Sequence, residues 1–231
     1  MRLMKLKLSA PLQSWGEDSR WDTRETAASP TKSAVIGMLG CALGYPRGDS
    51  RLVALDQALK LAVRIDQPGR VMTDFHTVTG TDEVLLTAAG SKRSSGATII
   101  TPRQYLQSST FTVFLWGDED TLTMCGQALL HPHWPIYLGR KSCVPSVPVI
   151  PQWVEANTVE EAVRCMTDTE LKAAQDVLRV EIELGPGESA GPEETVRQRM
   201  DRPVRAQLNE YLPRSVRVSS FRKEAAVHVS E

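Results

Sequence analysis

The chain has 231 residues, 41% hydrophobic and 24% charged, with a formal net charge of -1. That make-up suits a folded protein with a sizeable core and excludes disorder along the whole length, and it excludes a surface clothed all over in nucleic acid. Four scattered cysteines (Cys41, Cys125, Cys143, Cys165) without a CxxC pair argue against a zinc ribbon. There is no signal-peptide pattern and no apolar run near the roughly 20 residues of a membrane span, so a cytoplasmic protein without membrane association, metal or cofactor is expected.

In chain order, Arg2 to Leu8 turns Leu3, Leu6 and Leu8 inward with Met4 opposite, which predicts a strand ended by Pro11. Ser14 to Ser29 is polar and reads as a structured loop. Its Trp15 and Trp21 either fold back onto the domain or pack on a partner or base. Thr31 caps a helix whose buried stripe is Val35, Ile36, Met38, Leu39 and Leu43, with Gly44 as terminator. Gly37 and Gly40 within it suggest close approach by a neighbouring backbone.

A short helix over Leu52 to Ala58 and a strand over Leu59 to Ile65 follow, then a turn over Asp66 to Arg70. Val71 to Thr101 is rich in Thr, Ser and Gly. Val71 to Val78 and Ile99 to Tyr105 read as the arms of a projecting hairpin, which needs either disorder or a partner to account for it. Thr110 to Trp116 is a central strand with apolar residues on both faces, and Asp120 to Leu130 is a helix. Gly139 marks a tight turn presenting Arg140, Lys141 and Ser142, and the prolines after it make the segment extended.

Glu155 to Glu194 carries eleven acidic against three basic residues, and Thr195 to Glu231 carries eight basic against four acidic. The near-zero total therefore hides a dipolar layout. Strands are expected over Val177 to Leu184 and Arg214 to Phe221, separated by an Arg-rich stretch broken by Pro203. The fold class is α/β (α+β): a ferredoxin-like, RRM-like domain with a projecting β-hairpin and a mixed C-terminal lobe. Residues 1–150 form the main domain, with the hairpin at about 71–105, and residues 151–231 a strand-containing lobe packed on it.

Enzyme signatures such as GxxxxGK[ST], HExxH and GxSxG do not occur. His131 and His133, with Tyr137 nearby, are the candidates for metal-independent acid–base cleavage of RNA; the plainer reading is loop histidines beside a helix end. Cations among hydroxyls, the mixture phosphate oxygens favour, gather in three places. These are Arg20, Arg24 and Lys32 with Ser33, then Lys92 and Arg93 at the arm tip, then Arg140 and Lys141 with Ser142. A solvated charged face remains the alternative for each.

Leu8-Ser9-Ala10-Pro11-Leu12-Gln13-Ser14-Trp15-Gly16, then Arg20, Arg24 and Thr26, then Pro30-Thr31-Lys32-Ser33 through Gly44, together resemble the CasD family of the RAMP superfamily. These are subunits of the type I-E CRISPR Cascade complex. Tyr137-Leu138-Gly139-Arg140-Lys141-Ser142-Cys143-Val144-Pro145 matches the family's second signature. The resemblance implies one copy per complex, gripping the 5′ handle of the CRISPR RNA. It implies a thumb hairpin against the adjacent backbone subunit, contacts with the large subunit and possible proximity to target DNA. Handle contacts would fall on Gln13, Trp15, Arg20 and Arg24, on Thr31, Lys32 and Ser33 at a phosphate-holding helix start, and on Arg140, Lys141 and Ser142. A non-catalytic role is implied, with an endoribonuclease processing precursor CRISPR RNA as the alternative.

Overall fold

The computed structural model describes residues 1–17, 23–79, 91, 98–205, 210–223 and 227–228. The elements are β1 (Arg2–Gln13), α1 (Lys32–Leu43), α2 (Arg51–Ala58), β2 (Leu59–Gln67), β3 (Arg70–Thr79), β4 (Thr98–Gly117) and α3 (Glu119–Leu130). They continue as β5 (Gln152–Glu155), α4 (Val159–Arg164), β6 (Cys165–Met166), α5 (Asp168–Ala173), β7 (Val177–Glu183), β8 (Thr195–Arg205), β9 (Glu210–Arg222) and β10 (Val227–His228).

One sheet runs through both halves of the chain in the order β5-β1-β4-β2-β7-β9-β8, with β3 paired to β4. The set β1, α1, β2, β4, α3, β5 gives the antiparallel order β5-β1-β4-β2. This mixed α/β arrangement is consistent with a ferredoxin-like domain. Among the described residues, no helix is long and apolar enough to cross a membrane.

Two cores lie on the two faces of the sheet. Val35 and Ile36 of α1, Leu55 of α2 and Leu122 and Leu129 of α3 cover Met4, Leu6, Leu8, Leu61, Val63, Phe111 and Val113. On the other face, Ala162 and Val163 of α4 join Leu3, Ala62, Phe114, Leu178, Val180 and Ile182. Arg64 is wholly buried in that second layer, bonded to Asp66, to Thr112 and to the carbonyls of Val163 and Cys165. Each fully buried aliphatic or aromatic side chain contributes about 1.5–3 kcal/mol, so this double cover supplies most of the fold's driving force.

Several expectations change. The inward face of β1 is Met4, Leu6, Leu8 and Ala10, and Leu3 belongs to the opposite core; the apparent slip at Met4 arises because both faces are covered. Pro11 does not end β1. The ladder passes from Ala10↔Ser109 to Leu12↔Gln107, opposite a Ser108 with φ 55°. Because β5 pairs only with Arg2–Lys5, the donor Pro11 lacks is not required by a strand on that side.

The hairpin arms and the central strand also join. Thr98–Gly117 is one strand of 20 residues, whose first half pairs with β3 from Arg70↔Gln107 to Thr79↔Thr98 and whose second half lies between β1 and β2. By register Val71, Phe75 and Ile100 share one face of this ladder, and all three are exposed. The Arg-rich stretch is β8, an edge strand. Its Pro203 is tolerated there, its Arg199 pairs with Glu181 of β7 and with Glu17, and its Arg202 pairs with Asp56 of α2.

Candidate nucleic-acid interface

Three sequence-distant segments meet at the base of the hairpin. The amide of Ser14 donates to Leu138 O at 3.1 Å, and that of Ala27 donates to Trp15 O at 2.6 Å. Arg24 is stitched into β4, its amide donating to Pro102 O and its carbonyl accepting from Gln104 N. Gly139, at φ +95°, makes the turn close over Ser14: a Cβ there would fall 1.6 Å from Ser14 O. Arg140 then locks the junction, donating to Gln104 O and Arg24 O at 2.9 Å each, with its guanidinium 4.5 Å from the Tyr105 ring centroid.

Beside this junction a groove of about 490 Å³ runs along α1, with Gly16, Ser33, Gly37, Trp134, Tyr137 and Tyr211 among its lining. Gly37 is exposed, and nothing lies within 4 Å of the position its Cβ would take. An open mid-helix glycine flanked by aromatic rings provides a floor that a sugar–phosphate chain or base can approach closely, with flat apolar surfaces for stacking. The close backbone approach expected of both helix glycines is found at neither: Gly37 is open, and at Gly40 it is the Leu52 side chain that a Cβ would strike.

The candidate residues divide sharply. Lys141 and Ser142 are exposed beside the junction, and Ser33 faces the groove. Arg24 is half-buried there. Gln13 is buried, donating to the carbonyls of Leu8 and Ser109, so it braces the turn out of β1. Trp15 is 1% exposed and edge-on to Phe111. The reading of Trp15 as a stacking platform is therefore corrected to a core residue; its area is hidden by the sheet. Arg140 is spent on the two carbonyls that fix the junction rather than presented outward. Arg20, Trp21, Lys92 and Arg93 lie outside the described residues.

The helix start is corrected most. Thr31 is fully buried and caps α1 by accepting from Ala34 N. The Lys32 amide is taken by the Asp201 carboxylate at 2.8 Å, so a side chain from β8 already occupies the place proposed for phosphate. The Lys32 ammonium points inward, 2.9 Å from Glu183 and 3.3 Å from Asp56. Asp201 in turn accepts from Arg214 at 2.9 and 2.7 Å. Burial acts to raise the Asp201 carboxyl, but the hydrogen bonds and charge of Arg214, with the Lys32 amide, outweigh it and hold the group below its ordinary range. Burial pushes Asp56 up, against the pull of Lys32. Arg214 also stands 3.8 Å from Glu183, and Arg199 2.7 Å from Glu181, so the basic segment meets the acidic one in these buried pairs.

Arg103 was missed by sequence reading. Its backbone forms a bridge with Arg24, and its half-buried side chain donates to Thr101. Pro102 before it and the Thr- and Ser-rich surroundings concealed a cation at a strand junction. His131 ends α3, and the His133 ring lies against the left-handed Gly44 and edge-on to Trp134. Both are exposed and match the plainer reading as loop histidines beside a helix end.

The sheet order defines a mixed α/β protein, and comparison with known proteins gives it a CRISPR-associated family. The profile described as CRISPR-associated protein (Cas_Cas5) matches residues 3–222, and the chain belongs to this family. It is 36% identical over 169 residues to the CRISPR system Cascade subunit CasD of Escherichia coli (strain K12), covering 68% of this chain and 73% of that protein. A chain of a solved CRISPR RNA-guided surveillance complex superposes with a TM-score of 0.72 at 31% identity, over 95% of this chain and 89% of its own. A crystal structure of a Cas protein superposes with a TM-score of 0.69 at 28% identity, over 96% of both.

Proposed function

We infer that this chain is a non-catalytic subunit of Cascade, the CRISPR RNA-guided surveillance complex, and that it binds the 5′ handle of the CRISPR RNA. The observation that carries the reading is the near full-length likeness to a chain of such a complex. The site adds a physical reason. Arg24, Arg103, Lys141 and Ser142 gather at one junction beside a groove with a glycine floor and aromatic walls. Phosphates are held by such cations and hydroxyls, and unstacked bases by such walls.

In this reading the β3–β4 hairpin is a thumb, and the exposed stripe of Val71, Phe75 and Ile100 meets the adjacent backbone subunit. The large subunit contacts another face. Purifying the complex through a tag on this chain and sequencing the retained RNA tests the assignment. A discrete RNA with one constant 5′ end, crosslinking to residues around Arg24, Arg103 and Lys141, is expected. Recovery of random cellular RNA would overturn it, and specific cleavage of precursor RNA by the purified chain in EDTA would overturn the non-catalytic part.

A further inference from the structure

One guanidinium fastens both ends of the segment that leaves β1 and returns at α1. Arg199 of β8 donates from Nε and Nη2 to the Glu17 carboxylate, at 3.1 and 2.9 Å. It also donates from Nη1 to Ser29 Oγ at 2.6 Å and from Nη2 to Ser29 O at 3.3 Å. The amide of the next residue, Met200, donates to the other oxygen of Glu17. Glu181 of β7 backs the arrangement, accepting from Arg199 and from Ser29 at 2.7 and 2.8 Å. The Arg199 side chain is 8% exposed and that of Glu181 7%, so neither is available to a ligand.

We propose that Arg199 is a positioning residue for RNA binding, a staple from the C-terminal strands that sets the loop carrying Arg24 against the hairpin base. The proposal rests on the RNA-binding reading above and assigns it a part outside the groove. A rigid fork bonded to Glu17 and Ser29 holds those two points before any ligand arrives, so less ordering cost falls on binding. The β7–β9–β8 extension of the sheet is therefore what holds the handle-facing loop in place.

The proposal makes a prediction opposite in sign to simple electrostatics. Glu17 is an acid next in sequence to Gly16 of the groove lining, so by charge alone its removal would strengthen RNA binding. If Glu17 is one anchor of a staple, Glu17→Gln weakens binding by about tenfold, the scale of losing charge-assisted hydrogen bonds.

Full-length chain is titrated with a labelled RNA carrying the handle, over a salt series, alongside Arg199→Lys, which keeps the charge and loses the fork. Both variants are expected to bind about tenfold more weakly with the salt slope of the parent, since no phosphate contact is removed. Both should also exchange the Ala27 amide hydrogen faster, with little change in melting temperature. Parental or tighter affinity of Glu17→Gln in a folded chain would overturn the staple alone. Should Glu17→Gln unfold, the affinity and salt slope of Arg199→Lys decide in the same way. If the parent itself shows no affinity for the RNA, the binding reading fails first and the staple with it.

Discussion

Replacing Gly139 by alanine tests whether the junction is built as described. At φ +95° an L-residue costs about 1–2 kcal/mol in backbone strain. The added Cβ would stand 1.6 Å from Ser14 O and 2.7 Å from Ser14 C, both backbone atoms that cannot swing aside as a side chain would. The turn must therefore withdraw, giving up the bond from Ser14 N to Leu138 O, worth roughly 1 kcal/mol, together with nearby packing. The expected loss is about 3–5 kcal/mol. In urea unfolding, with m near ~2–3 kcal/mol/M, the midpoint should fall by about 1–2.5 M at unchanged m. Gly37→Ala is the control in the same chain. Its Cβ meets nothing, so it should stabilise the helix by about 0.5–1 kcal/mol while weakening RNA binding by narrowing the groove. A Gly139→Ala midpoint equal to the parent's would refute the close approach, and unchanged RNA affinity in Gly37→Ala would refute the groove.

Lys32→Met should destabilise the chain by about 3–5 kcal/mol, because Asp56 and Glu183 lose the buried ammonium they share and keep only Arg202 and Arg214, at 3.3 and 3.8 Å, yet leave the salt slope of RNA binding unchanged; a lowered slope would return Lys32 to the interface. Lys141→Ala and Arg103→Ala should each weaken RNA binding and reduce that slope by roughly 0.7, measured by the same titration, and an unaltered slope in both would remove them from the phosphate path. Acid should loosen the β8 contact with α1. The folded Asp201 carboxyl lies below its ordinary value of about 3.9, so the unfolded chain takes up the proton first. Its stabilising contribution is whole above that value and drains as pH falls through the lower folded one. Asp201→Asn should flatten the stability curve below about pH 5, and an identical acid slope would refute the linkage.

The helices α1, α2 and α3 and most of the longer strands were legible because each carries its own signal, whereas the six-residue helices α4 and α5 went unread. Thr31 and Gly44 bracket α1, and Leu61, Val63 and Ile65 alternate in β2. The hairpin was found from composition, and its ladder follows the expected arms closely. What escaped reading depends on contacts between distant segments. Arg140 and Lys141 are adjacent cations in sequence, and only the fold shows one turned onto two carbonyls and the other to solvent. Trp15 lies in a polar run, and its burial against Phe111 depends on where β4 passes. Lys32 looked free because its partners stand 24 and 151 residues away. The β8 strand was hidden by its arginines, whose countercharges come from β7 and from the first loop.

The unbroken length of β4 also sets a scale. Twenty residues at about 3.3 Å each span ~66 Å, and the half paired with β3 accounts for about half of that. Strand and core share one backbone, so whatever the far half touches is held at a fixed span from the groove, as by a ruler. Adding one residue to each arm at the base of the ladder would rotate Val71, Phe75 and Ile100 to the opposite side, while adding two to each would shift them outward with their facing preserved. Length changes here are thus restricted to even steps, a parity rule that relatives of this chain should obey.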